Sequence, residues 1–247
     1  MLSHGIRARQ SPVTAGAWAL LVVAAVLAAG DWVAVARGDK RLEYVCKPGA
    51  LAALIGVALT LDPGHGDARA WFVVALALSL AGDVFLMLPA DRFVAGLASF
   101  LLAHVAYVIG LTRHGGSAGA LLVAAVPVVA VAGLLGARFL RAARAGGHRE
   151  LVGPLVAYMA VIAAMVTCAI ASGNVLAAAG AVLFMASDAL IAETRFVGAA
   201  ATAALPTGAA GAGACDGDKR LHEWAPVVIM VTYHLGQAGL TLSLVHG

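Results

Sequence analysis

Long apolar runs alternate with short polar punctuation along the whole chain. A helix needs about 20 mostly apolar residues to cross the ~30 Å hydrocarbon core of a bilayer. Eight segments reach or approach that length: 15–35, 44–60, 71–89, 93–111, 119–139, 151–171, 174–192 and 225–245. The pattern predicts an all-α fold, a polytopic membrane helix bundle of eight transmembrane helices, making up a single integral membrane domain over 1–247. The second span is the weakest, cut short by Asp62, Pro63 and Gly64. The first follows Arg7 and Arg9 and ends near Ala34-Val35-Ala36, as a signal peptide would. Its run is long for such a segment and another span follows at once, so it reads as a span.

Connections such as "ADR" before Phe93 and "SGN" at Ser172 to Asn174 are short, which makes consecutive helices antiparallel neighbours. The exception begins "GAAATAALPTG" at Gly198. Its glycines and Pro206 interrupt any ninth span and predict a flexible Ala/Gly-rich loop over 198–222.

Composition agrees with the pattern. Of 247 residues, 62% are hydrophobic and 12% charged, and the mean hydropathy is +0.94, far from a soluble domain's roughly 45–50% apolar and 25% charged. The lipid bilayer is therefore the first partner. The +3 charge does not indicate nucleic acid, because the basic residues fall in short loops rather than one stripe. Cys46, Cys168 and Cys215 are odd in number and far apart, so neither a disulfide framework nor a zinc site follows.

The loop charges orient the bundle. The amino terminus and the loops after spans two, four and six carry four Lys/Arg, whereas the loops after spans one, three, five and seven carry eleven. The positive-inside rule predicts a cell-membrane protein with both termini outside and the eleven basic residues in the cytoplasm.

Within the apolar runs two stretches echo each other. "AGDVFLMLPADRF" at 81–93 and "ASDALIAETRF" at 186–196 both read small residue, Asp, apolar turn, Arg-Phe, and both close a span. Four helices apart, they suggest a four-plus-four parallel repeat. Asp83 and Asp188 should then share one depth in the cytoplasmic half, with Asp83 about 9 Å from a helix end at Pro89. Gly82 and Ser187, beside them, would let neighbouring helices approach.

Other polar side chains would be costly against lipid and should turn inward. Lys47 opens the second span in "VCKPGALAAL", where Pro48 suits a first turn. His104 and Tyr107, three apart, share a helix face, and "YHLGQAGL" brings Tyr233, His234 and Gln237 to the last span. Taken singly, Lys47 also reads as an interfacial lysine, and His104 and Gln237 as interhelical hydrogen-bonding residues. Asp31, beside Trp32 near a span end, reads as interfacial. Two acids deep in echoed apolar helices read as a functional site by default.

The motifs "CKP", "SLAGDVFLMLP", "FVAGLASFLLAHVAYVIGL", "GAVLFMASDALIA" and "YHLGQAGL", in this order over Tyr44 to Leu240, resemble the YhhN family. The resemblance implies an eight-span membrane enzyme that hydrolyses the vinyl ether bond of lysoplasmalogens, lysophospholipid-type ether lipids, to a fatty aldehyde and glycerophosphoethanolamine or glycerophosphocholine. It implies Asp83 and Asp188 as catalytic residues, with Lys47, His104, Tyr233 and Gln237 binding or positioning; Tyr107, on the His104 face, joins them as a positioning residue. The 198–222 loop departs from the family pattern by its length.

The implied chemistry suits these residues. Protonation of the alkene carbon needs a neutral acid, and the resulting oxocarbenium ion needs a nearby negative charge. Two carboxyls in one pocket divide that labour, one keeping its proton and the other losing it, as paired carboxylates do in glycoside hydrolysis. The expectation is catalysis without metal or other cofactor, on substrate entering sideways from the cytoplasmic leaflet with its phosphate paired to Lys47. Self-association into a homo-oligomer stays open. Buried acids and a repeat also suit a proton-coupled small-solute or lipid transporter, although no span has an obvious mid-membrane Gly/Pro break. A metal-dependent hydrolase using the two Asp, His104 and His234 lacks any tight ligand spacing.

Overall fold

A computed structural model of the chain describes residues 13–61, 66–90, 92–113, 115–198 and 216–245, with the side chains of 216–223 left aside. The helices are α1 (Ala15–Arg37), α2 (Lys40–Thr60), α3 (Gly66–Met87), α4 (Phe93–Thr112), α5 (Ala118–Ala145), α6 (Val152–Ala171), α7 (Val175–Ala192) and α8 (Asp216–Ser243). All eight are long and apolar enough to cross a membrane. The chain is an all-helical, multi-pass membrane protein.

The polar punctuation acts as caps. The Thr14, Asp39, Ser117 and Asn174 side chains accept from backbone N–H groups in the first turns of α1, α2, α5 and α7, groups that have no partner inside their own helix. Gly38, in the left-handed region at φ 66°, ends α1 and lets the chain reverse within two residues.

The Asp39 cap moves the start of α2 upstream of the predicted 44. Lys47 consequently lies two turns inside the helix and is buried, and Pro48 is an interior proline, not a first-turn one. Likewise α5 runs six residues past its predicted end at 139, carrying Arg138, Arg141 and Arg144 on helix. Helix α3 stops at Met87, before Pro89, and α8 is helical from Asp216, nine residues ahead of the predicted 225. Residues 199–215, most of the predicted flexible loop, lie outside the described residues.

Helices pack as the hairpins α1/α2, α3/α4, α5/α6 and α7/α8, and α8 closes onto α1 and α2. One expected neighbour pair is replaced: α4 packs on α3 and α6, with α5 outside it against α6. Glycine sets the closest approach. A Cβ on Gly180 would lie 2.6 Å from the Leu240 backbone nitrogen, and one on Gly236 would lie 2.9 Å from the Gly180 carbonyl oxygen. Helices α7 and α8 therefore meet backbone to backbone despite the long connection between them. Beside the first aspartate, Gly82 lies under the Phe100 ring, which a Cβ would meet at 2.7 Å. Beside the second, the Ser187 hydroxyl donates to the Ile229 carbonyl.

Asp83 and Asp188 each precede the last α-helical residue of their helix by four positions, Met87 in α3 and Ala192 in α7. Beyond Ala192 the chain widens into π-helical turns, Glu193–Gly198. There the two Arg-Phe ends of the echoed stretches touch: Phe93 and Phe196 stack edge to face at 6.2 Å, and the Arg195 guanidinium lies 4.5 Å over the Phe93 ring. Arg138 binds Glu193 through two nitrogens and ties this segment to α5.

Candidate functional site

Asp83 and Asp188 line one polar chamber of about 90 Å³, together with Lys40, Glu43, Lys47 and Ser187. That space is large and polar enough to admit water. The Asp83 carboxylate oxygen Oδ2 accepts a hydrogen bond from the Tyr233 hydroxyl at 2.7 Å, joining α3 to α8. Asp188 Oδ2 accepts from the Tyr158 hydroxyl at 2.6 Å, joining α7 to α6. Each acid is thus fixed by a phenol on a different helix.

His104 completes the Asp188 side. Its Nδ1 lies 2.6 Å from the Phe100 carbonyl oxygen; that oxygen can only accept, so Nδ1 carries a hydrogen. A neutral ring then turns the lone pair of Nε2 toward Asp188 Oδ2, 3.4 Å away. For that approach to be attractive, one proton must reside on the carboxyl or on the ring.

Lys47 reaches the chamber, although its ammonium is already paired. Lys47 Nζ donates to Glu43 Oε1 at 2.8 Å and Lys40 Nζ to Glu43 Oε2 at 2.7 Å. Glu43 and Lys47 are buried, whereas the Lys40 side chain is 69% exposed. Glu43 was not singled out in the sequence, although its position four residues before Lys47 was a legible helix pair.

Tyr107 and Gln237 are brought to each other, the phenol donating to the amide oxygen Oε1. Neither lines the chamber among the described residues. Gln237 Oε1 is taken by Tyr107, and its Nε2 has no hydrogen-bond partner among the described residues. Asp31 is wholly buried, not interfacial, and neither of its oxygens has a hydrogen-bond partner among the described residues. It sits where α1 packs on α2, beside Gly30, on which a Cβ would meet the Cys46 sulfur at 2.9 Å, while the next residue, Trp32, turns to α8 and donates from Nε1 to His234 Nδ1 at 3.1 Å. Tyr158 is the partner that sequence reasoning missed: one tyrosine in an apolar span, with no local pattern to mark it.

Two further spaces open from the chamber. A vestibule of about 440 Å³ shares Lys40, Glu43, Lys47, Leu86, Ile191 and Met230 with it and extends to Val35 and Gly38 at the end of α1 and to Pro226 within α8. A narrow cleft of about 40 Å³ between α4, α5, α6 and α7 shares Leu86, Phe100, Asp188 and Ile191 with it, and its lining is otherwise apolar apart from Tyr158. Asp188 therefore stands where a wet, charged space meets an oily one. Such a junction fits an amphiphile whose reactive bond lies between a polar head and an apolar tail. Among the described residues no three His, Cys, Asp or Glu side chains converge as a metal site would require.

Comparison with known proteins adds relatives. A family model described as the YhhN family matches residues 42–244. The chain is 35% identical over 156 residues to a protein named lysoplasmalogenase from Mycobacterium bovis, and equally to one of that name from Mycobacterium tuberculosis. Each alignment covers 60% of this chain and 58% of the relative, so the chain spans little more than half the length of the curated relatives it matches. No solved structure matches.

Proposed function

The chain belongs to the YhhN family, and from that premise we propose that it is a membrane-embedded hydrolase that cleaves the vinyl ether bond of lysoplasmalogens. The observation that carries the reading is the position of Asp188, which borders both the polar chamber it shares with Asp83 and the apolar cleft. The relatives named lysoplasmalogenase support the substrate class.

The alkenyl end of the substrate's tail points into the narrow cleft, with the rest of the tail passing between helices, and the glycerophosphate lies in the vestibule, which sets the vinyl ether beside Asp188. Asp188 is the general acid: its proton, held toward the lone pair of His104, passes to the alkene carbon distal to the ether oxygen. The adjacent carbon becomes an oxocarbenium ion. Asp83, its Oδ2 held by the Tyr233 hydroxyl and sharing the chamber with Lys47, serves as the carboxylate and stabilises that cation.

A chamber water then attacks the cationic carbon while Asp83 takes its proton, giving a hemiacetal. In the second half the roles reverse. Asp188, now a carboxylate, removes the hemiacetal hydroxyl proton, and Asp83 returns its proton to the departing glycerol oxygen. One water is consumed, fatty aldehyde and glycerophospho-alcohol leave, and both acids regain their starting states.

The chamber lies at the end of the bundle bearing the loops after α1, α3, α5 and α7, where the basic residues concentrate. By the positive-inside rule this end faces the cytoplasm, and substrate enters from that leaflet. The echoed stretches, meeting at Phe93 and Phe196, mark the two halves of a four-plus-four repeat.

The test is aldehyde release from a lysoplasmalogen by protein purified in detergent, alongside Asp83→Asn and Asp188→Asn. Release by the wild type and its loss in both folded variants is the expected result. Absence of aldehyde from the wild type, or full activity in either variant, overturns the reading. Solute flux in proteoliposomes without product would place the buried acids in a transporter.

A further inference from the structure

Lys40, Glu43 and Lys47 line both the chamber and the vestibule, and their arrangement bears on which head group the site takes. Among the described residues the vestibule lining contains two lysines and one acid, Glu43, and no aromatic ring. Two ammonium groups share one carboxylate at 2.7 and 2.8 Å, and each ammonium carries three N–H donors. A phosphodiester entering the vestibule can accept from the donors that Glu43 does not take. A phosphate drawn to Lys40, whose side chain is largely exposed and free to swing, releases Glu43 Oε2 toward the vestibule.

We propose that Glu43 reads the amine of the head group and that the site prefers lysoplasmalogens with a phosphoethanolamine head over those with phosphocholine. The proposal rests on the hydrolase reading above. A primary ammonium has three N–H donors and binds a carboxylate through a charge-assisted hydrogen bond. A quaternary ammonium has none and is recognised by aromatic faces, which the described vestibule lining does not offer. Lys40 and Lys47 take the phosphate common to both lipids. Lys47 is held in place by Glu43, and Lys40 supplies the movable charge.

The experiment compares kcat and KM for aldehyde release from ethanolamine- and choline-headed lysoplasmalogens carrying one and the same tail, with wild type, Glu43→Gln, Glu43→Asp and Lys40→Met. The wild type is expected to favour the ethanolamine lipid about tenfold in kcat/KM, the worth of one charge-assisted hydrogen bond in a half-open site. Glu43→Gln should collapse that preference through KM, and Glu43→Asp should restore part of it. Lys40→Met, a change at an exposed side chain, should raise KM for both lipids alike. Competition by glycerophosphoethanolamine against glycerophosphocholine reads the same preference without turnover. Equal use of both lipids by the wild type, or an equal loss for both in Glu43→Gln, overturns the proposal while leaving the hydrolase reading standing. No aldehyde from either lipid removes both.

Discussion

Replacing Asp188 by Asn deletes one transferable proton and little else. The Asn side chain has the same shape, but the Tyr158 hydroxyl at 2.6 Å and His104 Nε2 at 3.4 Å both face Oδ2, so the amide can turn its oxygen to the phenol or its NH2 to the ring, not both. One of the two contacts is given up, so folding stability should fall by about 1 kcal/mol. Activity should not survive, because an amide cannot protonate carbon. General acid catalysis contributes about 10²–10⁴ in rate, or roughly 3–5 kcal/mol of barrier at 1.36 kcal/mol per tenfold. The assay is initial-rate aldehyde release from purified, detergent-solubilised protein, with thermal unfolding of the same preparation as the control for folding. A folded Asp188→Asn variant within threefold of wild-type rate would refute the assignment of the acid, and with it the argument from the junction of chamber and cleft.

Three further outcomes are expected. Tyr233→Phe removes the hydrogen bond that holds Asp83 Oδ2, and should lower kcat about tenfold with little change in KM, since that bond is made to the acid. Gly180→Leu forces a side chain into a space where even a Cβ lies 2.6 Å from backbone; it should cost about 3 kcal/mol or more and be read as a large fall in Tm, whereas Gly133→Leu, with nothing within 4 Å of its Cβ, should leave Tm nearly unchanged. In a background with Cys168 and Cys215 replaced by Ser, a membrane-impermeant maleimide applied to intact cells should label Gly119→Cys and spare His148→Cys; the reverse pattern would invert the proposed orientation.

The hydrophobic pattern by itself determined that this is an eight-helix membrane protein, because spanning a bilayer demands a fixed length of apolar chain whatever the helices later pack against. It also marked Asp83 and Asp188, since an acid in such a run stands out without any knowledge of its neighbours. Helix ends were less legible: Asp39 caps α2 early and buries Lys47, because a cap hydrogen bond is local but not apolar and leaves no trace in hydropathy. The partners were decided only by tertiary structure. Tyr158 reaching Asp188, Tyr233 reaching Asp83, and Tyr107 spending its hydrogen bond on Gln237 are contacts between helices far apart in sequence. Asp31, near a span end in the sequence, is buried in the bundle, where α1 packs on α2. Which side chains meet across a bundle depends on the rotation and spacing of whole helices, here set in part by Gly180 and Gly236. One-dimensional periodicity shows which residues turn inward; only packing decides what each of them finds there.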